Sequence, residues 1–195
     1  MPADPINSVA VPSKKLGKFS RLVRLVWSLI DPRAWLHLFK LVNYYNYTHV
    51  AQRRLITLGQ SPSISPDVSL SNAERIFIGD RVRVGSRCHL WAGPSHGSIF
   101  IGDDVLFGPE VMLTAATYNF RHGSPVATQT MQEQDIHIGN DVWLATRVIV
   151  LPGTRIGDGS IIAAGSVVKG DIPAMSIVAG TPGKVVSQRT FVDTP

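Results

Sequence analysis

Residues 138–168 read IGNDVWLATRVIVLPGTRIGDGSIIAAGSVV, and this stretch decides the fold. Every sixth residue from Ile138 to Val168 is Ile, Leu or Val. A period of six is neither the 3.6-residue period of a helix nor the alternation of an ordinary strand. It is typical of a parallel β-helix, in which each short strand turns one apolar side chain toward the axis.

The same six-residue step extends toward the N-terminus with two interruptions, and a weaker lead-in occurs at Ile64 and Leu70. The small or β-branched residue at the fifth place of each hexamer is also expected to point inward. We therefore predict an all-β domain over residues 61–189, built as a parallel β-helix and followed by a tail over 190–195. Its core is predicted at the twelve apolar frame positions, which are Ile78, Val84, Leu90, Ile101, Phe107, Leu113, Ile138, Leu144, Val150, Ile156, Ile162 and Val168.

Residues 1–60 form a distinct N-terminal segment with nine Lys and Arg against two acidic residues, whereas residues 61–195 carry ten against twelve. Residues 14–30 place apolar side chains at three- and four-residue steps with basic residues between them, which predicts an amphipathic helix. Asp31-Pro32 ends this pattern, and a second helical stretch is predicted from Arg33 to about Leu58, with a candidate interruption at Asn43-Tyr44-Tyr45-Asn46-Tyr47. Two interpretations stay open: a helical cap on the body or on a partner subunit, or a basic helix on an anionic membrane surface.

Composition excludes several classes of protein. The chain has 195 residues with 44% hydrophobic residues and a net charge of +5, so it can bury a core and is not globally disordered. Its single cysteine, Cys88, excludes an intrachain disulfide and a zinc site made of several thiolates. The body lacks a basic face interleaved with aromatics, so no nucleic-acid partner is expected. Because no transmembrane or signal-peptide pattern is evident, we expect a cytoplasmic protein.

Several strings near the C-terminus carry a specific resemblance. These strings are Ile138-Gly139-Asn140-Asp141-Val142-Trp143-Leu144, Leu151-Pro152-Gly153-Thr154-Arg155-Ile156-Gly157, Ala164-Gly165-Ser166-Val167-Val168, Asp171-Ile172-Pro173 and Ala179-Gly180-Thr181-Pro182-Gly183-Lys184-Val185-Val186. Through them the chain over 61–189 resembles the hexapeptide-repeat acyltransferases, and in particular the maltose/galactoside and polysaccharide O-acetyltransferases. This resemblance implies a left-handed β-helix, a homotrimer, and acetyl-CoA bound in clefts between neighbouring subunits.

The longer interruption of the repeat is the candidate catalytic segment. Between Leu113 and Ile138 the frame needs six residues but has 25, and so long an excursion from a solenoid is usually functional or disordered. In the resembling family this loop carries a catalytic histidine. Tyr118 occupies that place here, and His122 follows four residues later.

An acceptor hydroxyl must lose a proton as it attacks a thioester, and a general base works best when its pKa is near the operating pH. Histidine titrates near about 6.5 and tyrosine near about 10. We therefore expect His122 to be the base and Tyr118 to orient the acceptor or line the cleft. Two alternatives stay open: His122 is a solvated loop residue in a slow or inactive enzyme, or Tyr118 is the base.

The resemblance also implies binding residues. Glu110 stands where this branch often has an Asn facing the acceptor, and is therefore the candidate acceptor-binding residue. Carried over position by position, the acetyl-CoA contacts fall on Thr146, Ala164, Lys169, Gly170 and Lys184, with Lys169 one place earlier than the family usually has it. The related γ-carbonic anhydrases require three histidines, two of them five residues apart, and no pair here has that spacing, so no metal is expected.

These observations predict an acetyl-CoA-dependent O-acetyltransferase acting on a hydroxyl of a sugar or a cell-surface polysaccharide precursor. Two rival functions stay open: N-acetylation of an amino sugar or small amine, and a catalytically impaired trimeric scaffold of the same fold. The expected location is the cytoplasm, either free or in peripheral contact with the inner face of the cytoplasmic membrane through residues 14–30.

Overall fold

A computed structural model describes residues 17–191 of the chain, so residues 14–16 of the predicted amphipathic helix and residues 192–195 of the predicted tail lie outside the described range. The chain divides into two compact units, 1–43 and 44–195. In the described part of the chain, no helix has the length and apolar character needed to cross a membrane.

The first unit contains two successive helices, α1 (Lys18–Ile30) and most of α2 (Pro32–Tyr45), which confirms the amphipathic helix predicted before Asp31. Asp31 leaves the helical conformation with ψ of 113°, as expected for a residue before proline. Its carboxylate accepts a hydrogen bond from the Arg33 backbone N–H at 2.9 Å. The Trp35 indole N–H donates to the Leu29 carbonyl at 2.8 Å. Neither helix has a buried residue.

The prediction of a helical stretch as far as Leu58 is wrong at its end. After α2 the chain makes a widened π-type turn over Asn46–Ala51 and a 3₁₀ turn over Gln52–Arg54, and then enters a strand. Thr48 donates its hydroxyl to the Tyr44 carbonyl at 2.8 Å, a local bond that competes with regular helix. The first strand therefore precedes the predicted start of the β-helix at residue 61.

The second unit is a parallel β-helix of short strands. Its strands, in chain order, are β1 (Thr57–Leu58), β2 (Ser63–Ile64), β3 (Ser69–Ser71), β4 (Ile76–Ile78), β5 (Arg83–Val84), β6 (His89–Trp91), β7 (Ile99–Ile101), β8 (Leu106–Phe107), β9 (Met112–Thr114), β10 (Ala116–Tyr118), β11 (Met131–Glu133), β12 (Ile136–Ile138), β13 (Trp143–Leu144), β14 (Ile149–Val150), β15 (Arg155–Ile156), β16 (Ile161–Ile162), β17 (Val167–Val168), β18 (Asp171–Ile172), β19 (Ser176–Ala179) and β20 (Lys184–Gln188). Short 3₁₀ turns occur at Ala73–Arg75 and Val126–Thr128.

The strands form three faces of a prism, each contributed once per coil. Face 1 is β1-β4-β7-β12-β15-β18, and face 2 is β2-β5-β8-β13-β16-β19, extended by the antiparallel β20. Face 3 is β3-β6-β9-β14-β17. The strands β10 and β11 form a separate antiparallel pair that interrupts the prism. The parallel β-helix predicted from the six-residue period is thereby confirmed.

The core is the ladder predicted from the sequence. All twelve frame positions are buried, and so are the fifth-place residues, which include Cys88, Thr154, Ser160 and Ser166. Burying a Val, Leu or Ile side chain contributes roughly 1.5–3 kcal/mol, so the stacked ladder is the main source of stability. Thr154, Ser160 and Ser166 have hydrogen-bond partners within the stack, and Thr154 donates to the Leu151 carbonyl at 2.6 Å. The buried hydroxyl of Ser176, in the last coil, has no partner among the described residues.

Close contact between coils explains the glycine that follows many frame positions. A Cβ added to Gly102 would lie 2.8 Å from the Gly139 carbonyl carbon of the next coil. Neighbouring coils are as close as paired strands, about 4.8 Å, which leaves no room for a side chain there. The turns also need left-handed backbone: Asp104 and Asp141 have φ of 58° and 51°.

Candidate active site

The excursion after face 3 is an ordered hairpin. Ala116 pairs with Glu133, and Tyr118 pairs with Met131 at the end of the antiparallel ladder. Ala115 and Ala116 are buried at its base, whereas the Tyr118 side chain is 44% exposed. The hairpin therefore presents the Tyr118 ring to solvent from a fixed backbone.

The tip of the hairpin carries His122, whose side chain is exposed. Gln129 holds the backbone around it. The Gln129 amide N–H₂ donates to the His122 carbonyl at 2.7 Å and to the Ser124 carbonyl at 2.6 Å, and its oxygen accepts from the His122 N–H at 3.4 Å. The imidazole itself is left available to a ligand. The sequence gives no signal for this role of Gln129, because periodicity is lost inside the excursion.

A buried carboxylate fixes the base of the hairpin. The Glu133 side chain is 3% exposed and accepts backbone N–H donations from His96 and Gly97, each at 2.8 Å, and from Ser95 at 3.1 Å. Burial raises the pKa of Glu133, but the backbone donors outweigh burial and lower it to about 2. Glu133 is therefore ionised at neutral pH, and its carboxylate joins the hairpin to the loop over 93–98.

Lys169 and Gly170 lie at the same edge of the prism as the hairpin. We name this edge the hairpin corner; it contains the segments that lead from face 3 to face 1, which are residues 72–75, 92–98, 115–135, 151–154 and 169–170. Backbone hydrogen bonds connect successive levels, from the Gly153 N–H to the Gln134 carbonyl at 3.3 Å and from the Arg155 N–H to the Gly170 carbonyl at 3.1 Å. Gly170 has φ of 84° with open space around it, so its backbone is accessible.

Thr146 and Ala164 lie at the other edge of face 3. This edge, the second corner, contains the segments that lead from face 2 to face 3, which are residues 65–68, 85–88, 108–111, 145–148 and 163–166. The Gly165 N–H donates to the Thr146 carbonyl at 2.9 Å, so Thr146 and Ala164 are one coil apart. Face 3 thus separates these two residues from the hairpin corner.

Lys184 lies beside the end of face 3. It begins β20 and pairs with Ala179. The preceding Gly183 donates its N–H to the Val167 carbonyl at 2.7 Å, and a Cβ there would be 2.8 Å from Val168. The turn before Lys184 consequently packs on the last strand of face 3, whereas Lys184 itself lies on β20 at the end of face 2.

Glu110 also lies at the second corner, but its carboxylate is already engaged. It pairs with Arg87 on one side and with the Arg147 Nε at 2.5 Å on the other. The hydrogen bond and charge of Arg147 lower the pKa of Glu110, with Arg87 adding to the effect. An acceptor would have to compete with this ion-pair ladder; the acceptor-binding role of Glu110 stays a prediction.

The outer surfaces of faces 1 and 2 each form an open groove. On face 1 the rings of Phe77, Phe100 and His137 stack with centroid separations of 5.0 and 4.8 Å, beside a groove of about 710 Å³. On face 2, Leu106 and Trp143 line a groove of about 600 Å³. Within residues 17–191, no group of three or more His, Cys, Asp and Glu side chains is placed to hold a metal ion.

The site can now be compared with known proteins. Residues 135–170 match the family described as bacterial transferase hexapeptide (six repeats). A probable macrolide acetyltransferase of Lysinibacillus sphaericus is 34% identical over 131 residues, which cover 64% of this chain and 71% of that protein. The chain belongs to the hexapeptide-repeat transferase family. This membership confirms the resemblance and the left-handed β-helix predicted with it.

Two further relatives carry information about chemistry. The putative lipopolysaccharide biosynthesis O-acetyl transferase WbbJ of Escherichia coli K12 is 36% identical over 121 residues, which cover 58% of this chain and 60% of WbbJ. The chain spans less than two thirds of the length of this and of two other curated relatives. A Vibrio cholerae hexapeptide-repeat acetyltransferase, solved with acetyl coenzyme A, superposes with a TM-score of 0.65 at 28% identity over 72% of this chain and 75% of that one.

Proposed function

We propose that this hexapeptide-repeat transferase is an acetyl-CoA-dependent O-acetyltransferase that acts on a hydroxyl of a sugar or a cell-surface polysaccharide precursor. The observation that carries the proposal is the clustering around face 3. The hairpin with the catalytic candidates borders face 3, and so do the cofactor candidates Thr146, Ala164, Lys169 and Gly170. The turn before Lys184 packs on the last strand of the same face. The names of WbbJ and of the acetyl-CoA-bound Vibrio protein support the same reaction and co-substrate.

Acetyl-CoA is proposed to bind through both corners of face 3. Thr146 and Ala164 offer backbone polar groups beside small side chains, which lets a pantetheine arm approach closely. Lys169 and Lys184 supply cations for the nucleotide phosphates, and Gly170 adopts a left-handed backbone conformation that other residues rarely adopt.

In the reaction, the acceptor oxygen attacks the thioester carbonyl carbon while the His122 imidazole takes the hydroxyl proton. A tetrahedral oxyanion forms and is stabilised by a backbone N–H of the cleft. Its collapse breaks the C–S bond, and the departing thiolate of CoA receives the proton from the imidazolium. Tyr118, four residues earlier on the same hairpin, orients the acceptor.

Thiol release from acetyl-CoA tests the assignment, with a panel of sugars as acceptors. His122→Ala is expected to lower kcat by about 100-fold or more, the usual contribution of a general base. Tyr118→Phe should mainly raise the acceptor KM. The matched control is His37→Ala, which removes an exposed imidazole from α2 and should leave the rate unchanged.

The outcomes separate the rivals. Unchanged turnover of His122→Ala contradicts the assignment of His122 as the general base. If turnover is lost in Tyr118→Phe but not in His122→Ala, Tyr118 is the general base. Acetyl-CoA binding without thiol release for any acceptor would identify a catalytically impaired scaffold. Turnover only with acceptors that carry a free amine would identify an N-acetyltransferase.

We further propose a homotrimer with acetyl-CoA between subunits, working in the cytoplasm and in peripheral contact with the inner face of the cytoplasmic membrane. The exposed apolar side chains on face 2, Leu106 at 42% and Trp143 at 46%, are suited to contact with a neighbouring subunit. Light scattering after size exclusion should give three times the 21.2 kDa chain mass. A monomer that still turns over would contradict an intersubunit site.

A further inference from the structure

The helices α1 and α2 leave a large apolar surface uncovered. All eight Phe, Leu, Val, Trp and Ile side chains of α1 are exposed, and so are the six of α2. Phe19 is 78% exposed and Trp27 is 68% exposed. So much contiguous apolar surface on a protein indicates an interaction site.

The two helices divide polar from apolar residues in the same way. At 100° per residue, the eight apolar side chains of α1 fall within an arc of about 200°, and Arg21 and Arg24 lie in the remainder. Lys18, the first residue of the helix, lies within the apolar arc. In α2 the apolar residues and Tyr45 span about 220°, with Arg33 and Lys40 opposite.

The charged residues of this segment are almost all basic. Residues 17–43 contain five basic side chains and a single acid, Asp31, which is engaged with the start of α2. The basic side chains have long aliphatic stems that can extend from the edge of an apolar face into a headgroup layer. Such a segment is complementary to a surface that is apolar inside and anionic outside.

From these observations we infer that α1 and α2 together bind an anionic lipid bilayer, both lying in the plane of its interface. A helix packed on a protein core buries a stripe of roughly 100°, whereas these apolar arcs are about twice as wide. A bilayer covers such an arc because lipid acyl chains contact the half of the helix that is inserted below the headgroups. The inference rests on the peripheral membrane contact proposed above and deepens it, because it names both helices as the binding element and anionic lipid as the ligand. It does not depend on the proposed acetyl transfer.

Co-sedimentation of the full chain with vesicles tests the inference. We expect binding to phosphatidylcholine vesicles containing about one third phosphatidylglycerol, a blue shift of tryptophan fluorescence, and much weaker binding to phosphatidylcholine alone. Each basic residue near an anionic surface contributes about 1 kcal/mol, so Arg21→Gln/Arg24→Gln should weaken binding roughly 30-fold. The matched control Arg83→Gln/Arg155→Gln removes two exposed charges from the β-helix and should bind as the unaltered chain does.

A second variant tests the apolar contribution. Trp27→Ser should reduce binding to both kinds of vesicle without changing the far-ultraviolet circular dichroism, since its side chain is exposed. The inference is overturned by no vesicle binding, by equal binding to both lipid mixtures, or by equal losses in the two double variants. Helices covered by a second copy of the chain would give the first of these results. Thiol release with a water-soluble sugar, measured in parallel, reports separately on the proposed enzyme activity.

Discussion

Replacing Glu133 with Gln tests how the hairpin is held in place. The substitution keeps the size of the side chain but removes its charge, and its amide N–H₂ would face the three backbone donors of residues 95–97. A hydrogen bond to a charged acceptor is worth about 1 kcal/mol more than one to a neutral acceptor. Because three backbone donors are involved, we expect the free energy of local unfolding of this loop to fall by about 3 kcal/mol. If the free energy of global unfolding falls by the same amount, the midpoint of thermal unfolding falls by about 6–12 °C.

The stabilisation by Glu133 depends on pH with a definite sign. Because the folded pKa of Glu133 is lowered to about 2 from the usual 4.5, its stabilisation is present above about pH 4.5 and is lost as the pH falls toward 2. The Ser95, His96 and Gly97 amides should lose their protection from hydrogen exchange over this pH window. In Glu133→Gln the same amides should exchange at close to the rate of unprotected amides at every pH. The control Glu74→Gln alters an exposed carboxylate and should change stability by less than about 0.5 kcal/mol. Unchanged protection in Glu133→Gln would refute the argument.

Two further pairs of variants test the β-helix by chemical or thermal denaturation. Leu113→Ala empties a fully buried ladder position and should cost about 2–5 kcal/mol, whereas Leu55→Ala, at a half-exposed side chain, should cost far less; equal costs would contradict the ladder as the core. Gly79→Ala would place a Cβ 2.7 Å from backbone atoms of Gly102 and should cost about 1–3 kcal/mol, whereas Gly123→Ala has open space and should be nearly neutral. A tolerated Gly79→Ala would show that the coils are farther apart than described.

The prism was predictable from the sequence because each coil repeats one simple requirement. A frame residue such as Leu144 must be apolar to fill the axis, and a residue such as Ser160 must be small to fit beside it. The end of the second helical stretch was not predictable in this way. Thr48 and Gln52 are buried through local and tertiary hydrogen bonds, which a hydrophobic period does not register.

The contacts that organise the candidate site were missed because they join two irregular segments. Glu133 lies in the long interruption and its donors lie in the short one, so neither segment reveals the other by its own pattern. The spacing of the interruptions was an available signal. They follow the third and the sixth frame positions, Leu90 and Leu113, and so are three frames apart. Three frames make one coil, so both segments leave the prism at the same corner and must meet there.

The way the hairpin is anchored makes its chemistry separable from its folding. Glu133 holds the base and Gln129 holds the tip, and each acts on backbone groups. The exposed side chains of Tyr118 and His122 contribute little to that framework, so a change at either position should leave the hairpin in place. If turnover is lost in His122→Ala while the hairpin stays folded, the loss can therefore be attributed to the proton transfer proposed for His122.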